Sequence, residues 1–352
     1  MFKAGIVGAS GYGGSELVRL LAGHPSIEAT VIAAHAQAGS AVQEVFPNLA
    51  GDRTFDAIDV DRLAELDVVF LSTPHGPAIE LGSALADAGV RTVDLSAAFR
   101  LSADEFTTWY GEPHPRHDLL PVAAAGDDEG NQARAVYGLA EFARARISGA
   151  TLVANPGCYV ITALLGLVPL SSLIAPNSLV VDGKSGTSGA GRATKDSLHF
   201  THVDGAVTAY GAPGHRHTGE IERYLGEFGA ALGPISFTPH LLPVARGLLI
   251  TAYGELVDGA TTDDVQSALH QAYHDEPFVH VLAPGTFPTT KAVLGSNGCQ
   301  ISATVDQRTN RVLVTSVTDN LGKGAAGGAI QNANLMLGIE ETTGLTAIGV
   351  YP

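Results

Sequence analysis

Short apolar runs alternate with amphipathic stretches through the first hundred residues of the chain. Four of the apolar runs predict strands, at residues 4–8, 29–33, 68–72 and 92–95. Two stretches between them predict helices, at 15–21 and 79–88. Because parallel strands need crossover helices that cover both faces of the sheet, this pattern predicts a parallel, doubly wound α/β sheet.

The second half of the chain has longer apolar runs with a different spacing. Three of them predict strands of a partly antiparallel sheet, at 247–257, 299–305 and 312–317. Helices are predicted at 218–229, 262–274 and 325–337. We therefore expect an α/β domain at residues 1–149 and an α+β domain at 150–323, with the last helical segment, about 324–352, returning to the first.

Two segments depart from these patterns. Residues 101–132 are rich in proline, histidine and acidic residues, and they predict a long surface excursion. Residues 147–181 contain no charged residue, but Asn155-Pro156-Gly157 and Pro169 interrupt them. Since a membrane span needs roughly 20 consecutive apolar residues, a buried strand (152–154), a turn and a buried helix (159–168) are favoured over a transmembrane helix.

Charge narrows the range of partners. The 20 basic and 36 acidic residues give 20 − 36 = −16 at neutral pH, which disfavours nucleic acid and anionic membranes as partners. Two cysteines, Cys158 and Cys299, are too few for a disulfide framework in a chain of 352 residues. The N-terminus lacks a signal-peptide pattern, so a reducing cytoplasm is the expected compartment.

A glycine-rich turn follows the first predicted strand. Glycines at 8, 11 and 14 allow close approach of the backbone to a pyrophosphate, and the next helix directs N–H groups towards the anion. A tight turn without a ligand is the alternative. The candidate cofactor residues in this turn are Gly8, Ser10, Gly11, Tyr12, Gly13 and Gly14.

The end of the second predicted strand indicates which dinucleotide is bound. NAD-preferring proteins usually carry Asp or Glu there, whereas here the next acidic residue is Glu44. His35, Gln37 and Ser40 are suited to hydrogen-bond a 2′-phosphate. NADP is therefore favoured over NAD.

Cys158 and His217 are the candidate catalytic residues. Cys158 lies between a predicted strand and a predicted helix, where the helix N-terminus lowers a thiol pKa; a buried structural cysteine is the alternative. His217 precedes a predicted helix, whose positive end favours a neutral imidazole. The pair His215 and His217 has no supporting carboxylate or cysteine at short spacing, so a zinc site is disfavoured, and we expect no metal.

Basic residues are scarce, yet four lie in distinctive segments: Arg100, Lys184, Arg216 and Arg246. They predict an anionic substrate. Four other histidines are predicted at the surface or in loops: His114, His117, His199 and His202.

Eight segments, in the same order through both predicted domains, resemble the N-acetyl-gamma-glutamyl-phosphate reductase family. They are GASGYGG (8–14), LSTPHG (71–76), DLSAAFRL (94–101), NPGCY (155–159), KSGTSGAGR (184–192), GHRHTGEI (214–221), HLLPVARG (240–247) and DNLGKGAAGGA (319–329). The resemblance implies a Rossmann-type NADP-binding domain and an α+β catalytic and dimerisation domain with a mixed, largely antiparallel sheet. It also implies the fold of the aspartate-semialdehyde and glyceraldehyde-3-phosphate dehydrogenases.

The resemblance further implies the arginine-biosynthesis step that converts N-acetyl-glutamyl 5-phosphate to N-acetyl-glutamate 5-semialdehyde. Cys158 matches the family nucleophile and His217 the acid/base. The implied substrate-binding residues are Arg100, Asn155, Tyr210, Arg216 and Arg246. Because the implied cofactor and substrate are anions, a locally basic cleft beneath an acidic exterior is expected, formed by the basic residues of the motif segments: Arg100, Lys184, Arg192, Arg216, Arg246 and Lys323. Further cofactor residues are implied at Pro74, Ser185, Gly186, Ser188, Gly189 and Asn320, and the implied assembly is a homo-oligomer, a dimer or a tetramer.

Two positions depart from the family pattern. Ala98 replaces a usual Asp, which questions the support of Arg100, and Ile161 replaces a frequent Thr. Three alternatives stay open: a semialdehyde dehydrogenase for another amino acid, an NADP sensor without chemistry, and a cysteine hydrolase.

Overall fold

The computed structural model describes residues 1–49, 51–122 and 135–351. The chain forms two units, each with its own sheet. The first unit is Met1–Gly157 with Ala325–Leu345, and the second is Cys158–Gly324 with Thr346–Pro352. The first crossing between them thus lies a few residues after the predicted 149/150 division, so the Asn155–Gly157 turn belongs to the first unit.

The first unit contains a six-stranded sheet in which every pair of neighbouring strands is parallel. Its strands are β1 (Phe2–Val7), β2 (Ile27–Ala33), β3 (Val68–Leu71), β4 (Thr92–Asp94), β5 (Val136–Tyr137) and β6 (Leu152–Ala154), in the order β2-β1-β3-β4-β6-β5. The helices between them are α1 (Tyr12–Leu21), α2 (Val42–Val45), α3 (Val60–Ala64), α4 (His75–Asp87), α5 (Ala103–Tyr110) and α6 (Ala140–Ser148). The predicted parallel, doubly wound architecture is confirmed.

The described part of the predicted excursion, residues 101–122, is folded into the core. Helix α5 begins with a capping box in which Ser102 and Glu105 bond reciprocally. His114, predicted at the surface or in a loop, lies in a loop but is fully buried between the rings of Phe99 and Phe106, with centroids 5.5 and 4.9 Å away. A surface position is therefore wrong for His114, because the sparse apolar residues give no periodicity and because an imidazole packs like an aromatic ring. Residues 123–132 of the excursion lie outside the described residues.

The second unit contains a seven-stranded mixed sheet. Its elements are α7 (Cys158–Leu167), β7 (Val180–Gly186), α8 (Phe200–Val203), β8 (Thr208–Ala209), α9 (His217–Phe228), β9 (Ser236–Leu242), β10 (Leu248–Glu255), α10 (Thr262–Tyr273), β11 (Val279–Val281), β12 (Cys299–Asp306) and β13 (Arg311–Thr318). The order is β11-β12-β13-β10-β7-β9-β8. Only β11–β12 and β7–β9 are parallel among these pairs, so the predicted mixed, largely antiparallel sheet is confirmed.

Helix α7 is the centre of the second unit and accounts for much of the uncharged stretch. Every side chain from Tyr159 to Leu167 is buried. Two hydroxyl contacts fix the helix to β13: Thr162 Oγ1 lies 2.7 Å from Thr318 Oγ1, and Ser316 Oγ donates to the Thr162 carbonyl over 2.7 Å. The stretch is therefore a core helix, and within the described chain no helix is long and apolar enough to cross a membrane.

After the π-helical turn Gly322–Ala326, helix α11 (Gly327–Met336) returns to the first unit. Asn332 on α11 donates to the Gly138 carbonyl over 2.9 Å and to Asn155 Oδ1 over 3.1 Å. The last residues differ from the prediction for 324–352, because Thr346–Pro352 belongs to the second unit. There the Thr346 carbonyl accepts from Asn297 N–H, a backbone pairing that has no signature in side-chain periodicity.

The turn between β1 and α1 depends on the absence of side chains. Gly8 has a φ of +85°, and a Cβ there would overlap the Ser72 carbonyl oxygen. A Cβ at Gly14 would overlap the Gly8 carbonyl oxygen and lie 2.6 Å from the Ala9 Cα. Helix α1 consequently packs directly against the backbone of the turn.

We predict that Gly14→Ala lowers the free energy of unfolding by about 1–3 kcal/mol, because the added methyl group overlaps backbone that has no room to move. Urea denaturation measures the change. Gly76→Ala in α4 is the matched control, since a Cβ there meets no atom within 4 Å, and its stability should be unchanged or higher by up to about 1 kcal/mol. Equal effects of the two substitutions would contradict the tight packing at Gly14.

His114 predicts a loss of stability in acid. Burial lowers the pKa of His114 to about 4, whereas the unfolded chain takes up the proton near 6.5. As the pH falls from 6.5 to 4, the unfolding free energy should therefore fall by up to about 1.4 kcal/mol per pH unit for such a histidine. His114→Asn should make this pH dependence shallower in urea titrations, and His202→Asn, at an exposed position, should leave it unchanged. An unaltered slope in His114→Asn would refute the assignment.

Candidate active site

The β1–α1 turn has the features of a pyrophosphate cradle. Its N-cap, Gly11, has no side chain to bond the first N–H groups of α1, and these groups attract an anion. A Cβ at Gly13 would lie 2.8 Å from Ser72 Oγ, so the surface of the turn is backbone. Ser10 is half-buried and Tyr12 is exposed at the same turn. The residues present fit a dinucleotide.

The segment after β2 is free of acidic residues from 34 to 43. His35 is exposed, and Gln37 and Ser40 are half-buried on one turn in which Ser40 N–H donates to the Gln37 carbonyl. The fold does bring a carboxylate beside β2, that of Asp56. Its oxygens bond Ile32 N–H and Arg62 Nη1, both over 2.8 Å. Pro74 is the exposed N-cap of α4.

Arg100 and Asn155 are both buried within the first unit. Arg100 donates from Nε to the Asn155 carbonyl over 2.8 Å and from Nη2 to the Leu95 carbonyl over 2.9 Å. Asn155 Oδ1 accepts from Asn332. Both side chains therefore hold the backbone that leads into Cys158, and their predicted role in substrate binding stays a prediction.

Ala98 stands where the family pattern usually has Asp, but another carboxylate, that of Asp94, faces Arg100. Ala98 is fully buried, and its N–H donates to Ser96 Oγ. Burial raises the pKa of Asp94 to about 6, while hydrogen bonds from Ser96 and the charge of Arg100 oppose that rise. The charge that faces Arg100 is thus at Asp94 on β4, and no carboxylate at position 98 is needed.

Cys158 is the first residue of α7 and is half-buried. Its Cα and Cβ lie against Gly324 in the π-helical turn, where an added Cβ would come within 2.9 Å of the Cys158 Cβ. Glycine at 324 therefore leaves the room that the Cys158 side chain uses. The thiol is at a helix N-terminus, where the dipole stabilises a thiolate and the N–H groups can bond an oxyanion.

An aromatic cluster follows Cys158 in the second unit, and it is formed by Tyr159, Tyr210, His215, His217 and Phe237. Tyr159 is central, with its ring 5.9 Å from that of His217, 6.1 Å from His215 and 5.5 Å from Phe237. Its hydroxyl donates to the His240 carbonyl over 2.9 Å and accepts from Tyr210 over 3.3 Å. The fold thus places the predicted residues His217 and Tyr210 around the residue next to Cys158.

Burial controls the protonation of this cluster. It lowers the pKa of His215 to about 4, with the charge of Arg216 acting in the same direction. Burial raises the pKa of Tyr159 and of Tyr210, and negative charge at Cys158 raises both further. At neutral pH the two phenols and His215 are therefore uncharged.

A polar network surrounds Asp319 and Asn320. Asp319 is fully buried; its carboxylate bonds Arg246 Nη1 over 3.1 Å and accepts from three N–H groups, those of Gly295, Leu321 and Gly322. Asn320 accepts from Gly247 N–H and donates to Ser188 Oγ, each over 2.8 Å. These bonds fix the segment 185–189, with buried Ser185 and Gly186, half-buried Ser188 and exposed Gly189.

The six singled-out basic residues divide into different environments. Arg100 and Lys323 are buried, and Lys323 Nζ lies 5.6 Å from the centroid of Phe278. Lys184 is half-buried, bonded to Asp182 over 3.1 Å, and Arg246 pairs with Asp319. Arg192 and Arg216 are exposed. Within the described ranges, no group of three or more His, Cys, Asp or Glu side chains is arranged to hold a metal.

Two residues of the site were not predicted from the sequence, Tyr159 and Asp319. Tyr159 follows Cys158 and Asp319 precedes Asn320, so position in the motifs was a usable signal. Their burial could not be predicted, because no local pattern shows that an Asp after an apolar strand accepts hydrogen bonds from three backbone N–H groups.

Two family models match nearly the whole chain. The model described as semialdehyde dehydrogenase, NAD binding domain, matches residues 3–150, and semialdehyde dehydrogenase, dimerisation domain, matches residues 158–320. Among solved structures, aspartate semialdehyde dehydrogenase II of Vibrio cholerae complexed with ASA has a TM-score of 0.70 at 16% identity, covering 96% of this chain and 98% of that one. An aspartate semialdehyde dehydrogenase with NADP from Candida albicans has a TM-score of 0.67 at 15% identity. These structures share the fold.

Curated relatives match over the full length. Proteins named N-acetyl-gamma-glutamyl-phosphate reductase are 44% identical in Desulforamulus reducens and 45% in Cellvibrio japonicus, covering 100% of each chain. The Bacillus subtilis protein of that name is 43% identical over 99% of this chain and 100% of its own. With both halves of the chain matched in order, this protein belongs to the N-acetyl-gamma-glutamyl-phosphate reductase family.

Proposed function

We propose that this protein is the NADP-dependent oxidoreductase that converts N-acetyl-L-glutamyl 5-phosphate to N-acetyl-L-glutamate 5-semialdehyde and phosphate, reversibly, in arginine biosynthesis. Full-length identity of 42–45% to reductases of that name supports the substrate. The observation that carries the chemistry is Cys158 at the first residue of a buried helix, beside the aromatic cluster. Turnover of the semialdehyde with NADP and phosphate tests the proposal.

The proposed first step is attack of the Cys158 thiolate on the acyl-phosphate carbon. A carbon–sulfur bond forms, the carbon–oxygen bond to phosphate breaks, and phosphate leaves with the electron pair. The first N–H groups of α7 would stabilise the oxyanion of the tetrahedral species. The product is a thioester, which is a better hydride acceptor than an oxygen ester because sulfur donates less electron density into the carbonyl.

NADPH, when bound, supplies the hydride that reduces this thioester to a thiohemiacetal. His217 is then proposed to donate a proton to the thiohemiacetal oxygen and to accept it again when the thiohemiacetal collapses. The collapse breaks the carbon–sulfur bond and restores the thiolate. The start of α9 suits this role, because the positive end of the helix disfavours a permanent imidazolium. Tyr159 packs against His217 and restricts its motion.

Substrate anions are proposed to bind through the basic and polar residues of the motifs. Arg216 is exposed beside His217, and Tyr210 carries a neutral phenol in the aromatic cluster. Arg246 is held by Asp319, which leaves a guanidinium oriented by a buried carboxylate. Arg100 and Asn155 would act indirectly, because they hold the turn before Cys158.

The cofactor is NADP(H), for which the β1–α1 turn supplies the pyrophosphate cradle. We propose that His35, Gln37 and Ser40 hold the 2′-phosphate, because no acidic residue occupies that turn and Asp56 is engaged by Arg62. Asn320 and the segment 185–189 are proposed as further cofactor contacts, since Asn320 fixes that segment.

The assembly is proposed to be a homodimer or homotetramer. The second unit matches a dimerisation domain, and the sheet face opposite α7 carries Val180 and Tyr253, which are 40% and 42% exposed. Pairing of two such faces would cover these side chains. A reducing cytoplasm is the proposed compartment, because a nucleophilic Cys158 must stay reduced.

We predict that Cys158→Ser abolishes NADPH formation from N-acetyl-glutamate 5-semialdehyde and phosphate, by roughly 10³-fold or more, because the hydroxyl is not ionised. NADPH binding, followed by fluorescence, should be retained. Cys299→Ser is the matched control, at a buried position on β12, and should stay active. Retained turnover in Cys158→Ser would refute the thioester; turnover of aspartate semialdehyde alone would refute the substrate.

We predict that His35→Asp weakens NADPH binding about tenfold, because a carboxylate would repel the 2′-phosphate, and that NADH binding is not weakened. Fluorescence titration of each nucleotide measures both constants. His199→Asp, an exposed histidine in the second unit, is the control for added charge. If NADPH affinity is unchanged in His35→Asp, the 2′-phosphate binds elsewhere.

A further inference from the structure

The start of α9 is stabilised by a side chain to which no role has been assigned. His215 Nδ1 accepts a hydrogen bond from the backbone N–H of His217 over 3.2 Å. The two imidazole rings are 4.8 Å apart and inclined at 73°. His217 is the first residue of α9, so this N–H is one of the groups that a helix leaves without a partner at its N-terminus. His215 thus caps the amide of the proposed acid/base.

This bond fixes the state of His215. An Nδ1 that accepts carries no proton, so the neutral ring has its proton on Nε2. Protonation at Nδ1 would replace the acceptor with a donor facing another N–H group. Burial and the Arg216 charge disfavour the imidazolium as well. His215 is therefore an acceptor at neutral pH.

The ring of His215 is confined by its neighbours. Tyr210 lies 5.6 Å away, Phe237 5.4 Å and Tyr159 6.1 Å between centroids. On the remaining side, a Cβ at Gly211 would be 3.1 Å from His215 Cδ2. The titratable and charged groups that face His215 are Tyr159, Tyr210, His217 and Arg216. Burial keeps both phenols neutral at neutral pH.

The chain uses the same local geometry twice elsewhere. His24 Nδ1 accepts from Ser26 N–H over 3.1 Å, and His114 Nδ1 accepts from Arg116 N–H over 3.1 Å. In each case a buried imidazole accepts the amide two residues later, as Asn or Asp does in an Asx turn. Neither of these amides belongs to a proposed catalytic residue. His114 therefore offers a matched control for the loss of such a bond.

We infer that His215 is a positioning residue for His217: through its Nδ1 acceptor and its packing against the aromatic cluster, it fixes the backbone and ring orientation of the acid/base at the start of α9. The inference rests on the proposed function, because it assumes that His217 moves the proton. An error of about 1 Å in such a group costs up to roughly 10²-fold in rate.

The test compares His215→Phe, which keeps the ring and removes the acceptor, with His215→Asn, whose Oδ1 occupies the place of Nδ1. We expect kcat to fall tenfold or more in His215→Phe with KM within about twofold of the wild type, and the acid limb of the pH profile of kcat to shift. His215→Asn should restore kcat to within about threefold. His114→Phe, which removes the same kind of acceptor at an amide outside the proposed catalytic residues, should lower Tm while the pH profile of kcat is unchanged.

Nitrogen-15 NMR of the histidine side chains gives a readout that does not need turnover. We expect the wild-type His215 to show an unprotonated Nδ1 and a protonated Nε2, and the His217 titration to shift in His215→Phe and return in His215→Asn. An unchanged His217 titration and kcat in His215→Phe would overturn the inference. So would equal losses of kcat and Tm in both His215 variants with an unaltered His217 titration, which would indicate a purely structural role. A wild-type protein without semialdehyde turnover but with these NMR shifts would refute the proposed function alone.

Discussion

The burial of helix α7 is the constraint on which the second unit depends. All its side chains after Cys158 are removed from water, so its backbone direction is fixed by the sheet and by the hydroxyl contacts to β13. A helix held in this way has a rigid N-terminus, so the backbone of Cys158, its first residue, is fixed in position. Chemistry that needs a thiolate and an oxyanion site within one turn benefits from that rigid position, because preorganised N–H groups need no rearrangement during reaction.

Three polar side chains, those of Asp319, Arg100 and His215, are bonded to backbone groups within their own unit, and these bonds limit what each can do. Asp319 accepts hydrogen bonds from three N–H groups and from Arg246, so its carboxylate is held in place and orients a guanidinium. Arg100 donates to two carbonyls and so holds the turn at Asn155. His215 uses its one acceptor on an amide. Each of these groups has its hydrogen-bond partners within the protein, so less conformational entropy is lost when a ligand binds.

Much of the fold could be predicted because its signals are local. The apolar runs that became β1 to β4 lie in a parallel sheet, and the predicted helix at 218–229 forms α9 with Ile221, Tyr224 and Leu225 buried. Failures occurred where tertiary contacts replace periodicity. His114 is buried by two rings, and Thr346 and Val350 form backbone hydrogen bonds with Asn297 and Leu294 in the second unit. A motif gave Cys158 and His217, but their surroundings are built from residues that lie far apart in the chain, Tyr159 and Tyr210 among them.

The sequence by itself determined the two-part architecture, the glycine turn, a cysteine at a helix start and the family, because each depends on residues close together or on ordered motifs. The tertiary structure decided which charged side chains are paired with other residues of the fold. Asp56 reaches β2 but is paired with Arg62, and Gly324 makes space for Cys158 from far along the chain. Hydrogen-bond partners and close approaches are set by packing in three dimensions, and periodicity along one chain carries no record of them.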